Sequence, residues 1–257
     1  MTGSKLPTTL AGIALAAVMI VGVGAAHPAH AEGGDIHHAT LAEPNQKTQE
    51  VSTQAVRRIL LDGGAILLDT RSRAEYSAGH IPGAHNVSGS PADALAMVEQ
   101  LVGGDKTKAL VLYCNGPFCQ ASRRFSEQLL GAGFTNVRRY QLGIPIWRVL
   151  GGPTAIELEG LLRIHGRDRT AVFLDARSAE EFAKGSLPGA HSVPADQLAA
   201  GGLKKAPLPE DDFNTRIVLF GRDAGQARAL AEAMSTRPWH NVSYLVAPFE
   251  ALKATMK

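Results

Sequence analysis

The sequence predicts an α/β fold built twice in tandem. Short continuous apolar runs bounded by Gly and Pro read as parallel strands buried on both faces, and amphipathic stretches alternate with them. The third observation is a repeat. LLDTRSRAEYSAGHIPGAHNV, from Leu67 to Val87, aligns without a gap against FLDARSAEEFAKGSLPGAHSV, from Phe173 to Val193. Asp69, Arg71, Ser72, Glu75, Gly79, Pro82, Gly83, Ala84, His85 and Val87 recur as Asp175, Arg177, Ser178, Glu181, Gly185, Pro188, Gly189, Ala190, His191 and Val193. A period this long marks two copies of a whole domain, since solenoid units are shorter. The breaker cluster Gly151-Gly152-Pro153 marks the join, giving domains over 45–152 and 153–257.

In chain order, the first copy opens with a helical stretch from Thr53 to Leu61 and a buried strand, AILLD. A helix-like RAEYSAG and a turn on Pro82-Gly83 follow, then a second buried strand, ALVLY, ending at Tyr113. A loop holding both cysteines of the chain, Cys114 and Cys119, leads into an amphipathic helix near Ala121 to Ala132, and NVRRYQ supplies a third strand. In the second copy the matching strand is RIVLF, Arg216 to Phe220, and the next residue is Gly221.

Ahead of these domains lies one Lys at position 5, an apolar run from about Leu10 to Ala26, and Ala29-His30-Ala31 before Glu32. That is the layout of a secretory signal peptide over 1–31, and the small-residue site favours cleavage over a membrane anchor. The mature chain is expected to be periplasmic or secreted, with no membrane attachment after cleavage. In such an oxidising compartment the two cysteines could pair. A formal charge of +2 gives no density of Lys and Arg on one face, which excludes a nucleic-acid binder. With 45% hydrophobic and 19% charged residues, disorder and fibres are excluded too.

A buried strand ending in Cys114 places the thiol at the carboxyl end of a parallel sheet, where open α/β sheets form ligand sites. Loop amides and the next helix's N-terminus can converge there and favour both a thiolate and an anion brought to it. No His partner is required. The strand-Cys-loop-helix, the pattern from Asp69 to Ala84, and the later Gly143-x-x-x-Trp147 together resemble the rhodanese domain of sulfurtransferases, as a tandem pair covering about 45 to 257.

The resemblance implies a Cys that takes sulfane sulfur from a small sulfur-containing anion such as thiosulfate, or from a persulfide, and passes it to a thiol or cyanide acceptor, with no metal or organic cofactor. Carried over by position, Cys114 is the persulfide-forming nucleophile. Asn115, Gly116, Pro117, Phe118, Cys119 and Gln120 form its cradle. Where the family often has Arg, this chain has Cys119, so the resemblance implies that the cationic grip on the donor is either missing or supplied by Arg123 or Arg124. Gly221 cannot hold a persulfide, and the second domain is expected to be silent, serving as a lid, an interface or a docking surface for a protein partner.

Other readings stay open. Cys119 is either a resolving thiol for Cys114 or a structural loop residue, and a disulfide requires the two Cα atoms within about 7 Å. A non-catalytic docking module fits the Cys-less second copy and the missing loop Arg, and a thiol-disulfide protein would use Cys114 with Cys119. Two cysteines without a neighbouring His lack a metal-ligand set. Phosphatase chemistry wants Cys, five residues and Arg, and Gln120 stands in that place. Asp69, Arg71 and Glu75 recur in the Cys-less copy, so caps and ion pairs explain them better than catalysis. Trp147 and Trp239 read as packing residues. Lys204 to Asp212 reads as an exposed loop, and His37 and His38 as part of a solvated tail.

Overall fold

In the computed structural model, described over Met1, Glu43, 45–197 and 206–256, the repeated sequence becomes two five-stranded, wholly parallel sheets. Apart from Met1, the expected leader over 1–31 lies outside the described residues, as do the His37–His38 pair and most of the segment 32–44. Among the described residues no helix is long and apolar enough to cross a membrane.

The first sheet is ordered β1-β5-β4-β2-β3, from β1 (Gln49–Glu50), β2 (Ile66–Asp69), β3 (His85–Asn86), β4 (Leu110–Tyr113) and β5 (Val137–Tyr140). The second repeats that order as β6-β10-β9-β7-β8, from β6 (Thr154–Ile156), β7 (Val172–Asp175), β8 (His191–Ser192), β9 (Ile217–Phe220) and β10 (Val242–Leu245). The central strands β4 and β9 are buried at every residue, as a strand covered by helices on both faces must be. The edge strands β1, β3 and β8 are two residues long. None has an apolar run of its own, which is why the sequence announces three strands per copy and the fold contains five.

Helices α1 (Thr53–Asp62), α2 (Arg73–Ser77), α3 (Pro91–Val102), α4 (Gln120–Gly131) and α5 (Gly143–Val149) cover the first sheet. The second is covered by α6 (Leu158–Arg167), α7 (Ala179–Ala183), α8 (Ala224–Met234) and α9 (Phe249–Ala254). α1 starts where Ser52 accepts the amide of Ala55 and stops at Gly63, whose φ of 66° closes the last turn. α3 starts on Ser90 with Pro91 in its first turn and ends at Gly103.

The repeated polar residues make the same device twice. Ser72 and Glu75 form a capping box on α2, and Ser178 and Glu181 form one on α7. Arg71 Nη2 lies 2.5 Å from Asp69 Oδ2 and 2.8 Å from the Gly79 carbonyl, while Arg177 lies 2.6 Å from Asp175 and 2.8 Å from the Gly185 carbonyl. Both carboxylates are wholly buried. Each ion pair ties a strand end to the turn after the next helix, which is the structural use the repeat implied.

The two domains are joined by backbone as well as side chains. His80 and Ala155 exchange hydrogen bonds at 2.9 Å each way, an antiparallel bridge from the first domain onto edge strand β6. α6 packs on α2 so closely that a Cβ on Gly160 would overlap the Ser77 carbonyl, so glycine is required there. Arg73 pairs with Glu157 and, at 3.2 Å, with Glu159. The His80 ring is buried, stacked on Tyr76 with centroids 3.8 Å apart, and burial holds its pKa below the usual value. Trp147 and Trp239 pack inward, their indole N–H groups donating to Pro153 and Pro209 carbonyls. In the stretch expected as a loop, 206–212 has no helix or strand, and Leu208 packs against the core.

Candidate active site

Cys114 follows β4 directly, at the carboxyl end of the sheet. Its carbonyl accepts the amide of Ile144 at 3.1 Å, which seats the start of α5 beside the loop. Gly143 makes that approach possible, because its φ is 60° and a Cβ there would overlap the Cys114 carbonyl oxygen. From Asn115 to Cys119 the chain folds back on itself. Gly116 adopts a φ of 103°, and its carbonyl accepts the Cys119 amide at 3.0 Å.

The turn brings Cys119 over Cys114, with Cα atoms 6.1 Å apart, and the two sulfurs form a disulfide. The pairing that the sequence left open is therefore made, and Cys114 is only 3% exposed in this state. The loop is closed over its sulfur, where a thiol awaiting a donor was expected.

The remaining loop residues divide. The Asn115 amide donates to Glu75 Oε1 at 2.6 Å, so the capping carboxylate of α2 also holds the residue next to Cys114. Ser72's hydrogen bonds, with a further one from Asn115, keep the Glu75 carboxyl below its ordinary range. Pro117 is half-buried and Phe118 is 94% exposed at the tip of the turn. Gln120 begins α4 and faces solvent. Cys119 is the N-cap of α4 but makes no side-chain capping bond, so the first-turn amides have no side-chain cap.

The two arginines part company. Arg123 is occupied with Glu127 at 3.3 Å and Glu43 at 3.7 Å, along the flank of α4. Arg124 lines a hollow of about 510 Å³ with Thr70, Ser72, Ser88 and Ala121. Of the two cations the sequence offered, Arg124 thus lines a ligand-sized space.

A second cavity, about 520 Å³, lies between the domains and is bordered by Arg71, Glu75, Asn115, Arg148, Arg216 and His240 among others. Arg71 is neutralised by Asp69, and Arg216 by Asp168 at 3.2 Å. The Arg148 Nε is buried and has no partner among the described residues. Burial, aided by the neighbouring charges of Arg71 and Arg216, lowers its pKa to about 10. No sequence signal singles out Arg148, since its environment is assembled from both domains. Among the described residues no group of three or more His, Cys, Asp or Glu is placed to hold a metal.

Two segments, 52–149 and 157–255, match the Rhodanese-like domain family. The chain belongs to that family. It is 33% identical over 103 residues to the tRNA uridine(34) hydroxylase of Hamiltonella defensa, covering 39% of this chain and 28% of that protein. It is 37% identical over 92 residues to an HTH-type transcriptional regulator of Mycobacterium tuberculosis, covering 35% of this chain and 38% of the relative. The chain thus spans well under half the length of these curated relatives. Among solved structures, the 3-mercaptopyruvate sulfotransferase SseA of Escherichia coli is 20% identical, with a TM-score of 0.35, covering 78% of this chain and 98% of that one.

The second rhodanese-like domain lacks more than a sulfur. After Gly221 only Arg222 and Asp223 precede α8, whereas 115–119 precede α4. Gln226 packs against Gly221, its Oε1 accepting the Arg222 amide at 2.8 Å, and Asp223 caps α8 by accepting the Gln226 amide at 2.8 Å. A carboxylate of the chain itself stands where an anion would bind. The sequence carried this signal in Asp223-x-x-Gln226, a capping pattern just before an apolar helix.

Proposed function

We propose that the reduced protein is a sulfurtransferase whose Cys114 thiolate carries sulfane sulfur as a persulfide. The observation that carries this reading is the contrast between copies. At the end of β4 a sulfur, a five-residue loop and an uncapped 12-residue helix converge, and at the end of β9 a two-residue link held by Gln226 leads into a helix capped by Asp223. The donor is a small sulfur-containing anion, thiosulfate or a persulfide, drawn to the α4 N-terminus with Arg124 as its cationic partner. The thiolate attacks the outer sulfur of the donor, the donor's S–S bond breaks, and the remnant anion leaves with the bonding pair. A thiol or cyanide then attacks the terminal sulfur of the persulfide and the Cys114 thiolate is restored.

The disulfide is consistent with an exported protein and means that the resting form must first be reduced. The second domain is proposed to brace the first through the His80–Ala155 bridge and to close the cleft beside Asn115. The test is thiosulfate:cyanide turnover after thiol reduction. Activity is expected in the reduced protein and absent from Cys114→Ser; turnover surviving that substitution would refute the assignment. The disulfide favours a second reading, a thiol-disulfide exchange protein, which predicts dithiol oxidation without any sulfur loading.

A further inference from the structure

We infer that Cys119 is a resolving thiol which converts the sulfur held on Cys114 into free sulfide, so that the protein releases hydrosulfide as well as passing sulfur to an outside acceptor. This rests on the proposed persulfide chemistry and goes beyond it. The bond in the structure joins Cys119 to the Sγ of Cys114, which in a persulfide is the inner sulfur. A thiol placed to reach that atom displaces the terminal sulfur. A thiol reaching only the outer atom would instead take that sulfur over.

The loop is built for the approach. The Gly116-to-Cys119 hydrogen bond at 3.0 Å and the positive φ of Gly116 turn the chain through a tight return, setting the Cα atoms 6.1 Å apart. Cys119 is also the N-cap of α4, where the first-turn amides favour negative charge on an attacking sulfur.

The step balances. The Cys119 thiolate forms a bond to Cys114 Sγ, the bond between that sulfur and the sulfane sulfur breaks, and the terminal sulfur leaves with the electron pair as hydrosulfide. Two cysteine sulfurs are oxidised to the disulfide and one sulfane sulfur is reduced to sulfide. An external dithiol reductant then opens the disulfide and completes the cycle. Without it, each protein molecule releases one sulfide and stops in the state the structure shows.

The experiment is a single turnover without oxygen. Reduced full-length protein is given a sulfane donor, freed of excess donor, and left with no acceptor while sulfide, free thiols and intact mass are followed. Wild type is expected to release one sulfide per chain and lose both free thiols. Cys119→Ser should keep one added sulfur and release sulfide on the order of tenfold or more slowly; Cys119→Ala should match it. Wild type that retains its added sulfur with no disulfide would overturn the inference while leaving the sulfurtransferase reading intact. Equal release from wild type and both variants would overturn it as well. Failure of every form to gain sulfur would overturn both readings.

Discussion

Gly221→Cys, made in a chain whose own cysteines are replaced by serine, separates two reasons for the silence proposed for the second domain: a missing sulfur or a missing site. A Cβ at Gly221 would lie 3.0 Å from the Ala227 amide nitrogen and from Gln226 Oε1, and 3.2 Å from Gln226 Cβ. The first of these is backbone at the start of α8 and cannot move without unwinding the helix. The Gln226 side chain must therefore give by a few tenths of an ångström, straining or breaking its 2.8 Å bond to the Arg222 amide. That bond is worth about 0.5–1.5 kcal/mol and the overpacking costs a further ~1–3 kcal/mol. At roughly 2–4 °C per kcal/mol for a chain of this size, the melting temperature should fall by about 3 °C or more.

The new thiol should also gain no sulfur, because the Asp223 carboxylate already caps α8 and no loop remains to cradle a donor. Calorimetry and intact mass after exposure to a sulfane donor read the two effects. Melting as in the parent, together with sulfur loading on the introduced thiol, would refute the argument that backbone and capping silence this domain.

Three further perturbations follow from the same geometry. Asp69→Asn leaves the buried Arg71 without its carboxylate and should cost ~3–5 kcal/mol in urea unfolding, with Asp175→Asn behaving alike in the other copy. Glu50, whose carboxyl is pushed up to about 7 chiefly by burial, releases a proton on unfolding between its ordinary pKa near 4.5 and that value. Stability should thus fall as pH rises through this window; Glu50→Gln, which still accepts the Gln141 amide, should flatten that slope in melts from about pH 4 to 8. Arg148→Met removes a buried cation from beside Arg71 and Arg216 and should raise stability on the order of 1 kcal/mol, while an unchanged or lowered melting temperature would show that the cation is compensated.

Much of this was readable in advance because it depends on neighbours in the chain. Ser-x-x-Glu after a strand-end Asp-x-Arg specifies a capping box and an ion pair wherever it occurs, and both copies form them. The uninterrupted LVLY and IVLF runs identify strands enclosed on both faces, and the residue after each is placed at the carboxyl end of its sheet by that fact alone. What was hidden depends on chain segments meeting. β1 and β3 are strands only because β5 and β2 lie beside them. Arg123 and Arg124 are adjacent in sequence, yet one is turned to Glu127 and Glu43 and the other to a cavity, a choice made by helix phase and by a residue far upstream. The disulfide needed the turn at Gly116, which spacing alone does not specify.

The central claim is that reduced Cys114 takes up sulfur. Peptide mapping of the reduced Cys119→Ser protein, alkylated after exposure to thiosulfate or a polysulfide, tests it most directly. The account predicts one extra sulfur atom on the peptide bearing Cys114 and none elsewhere. An unmodified Cys114 with every donor, in a protein that melts as wild type does, would contradict it.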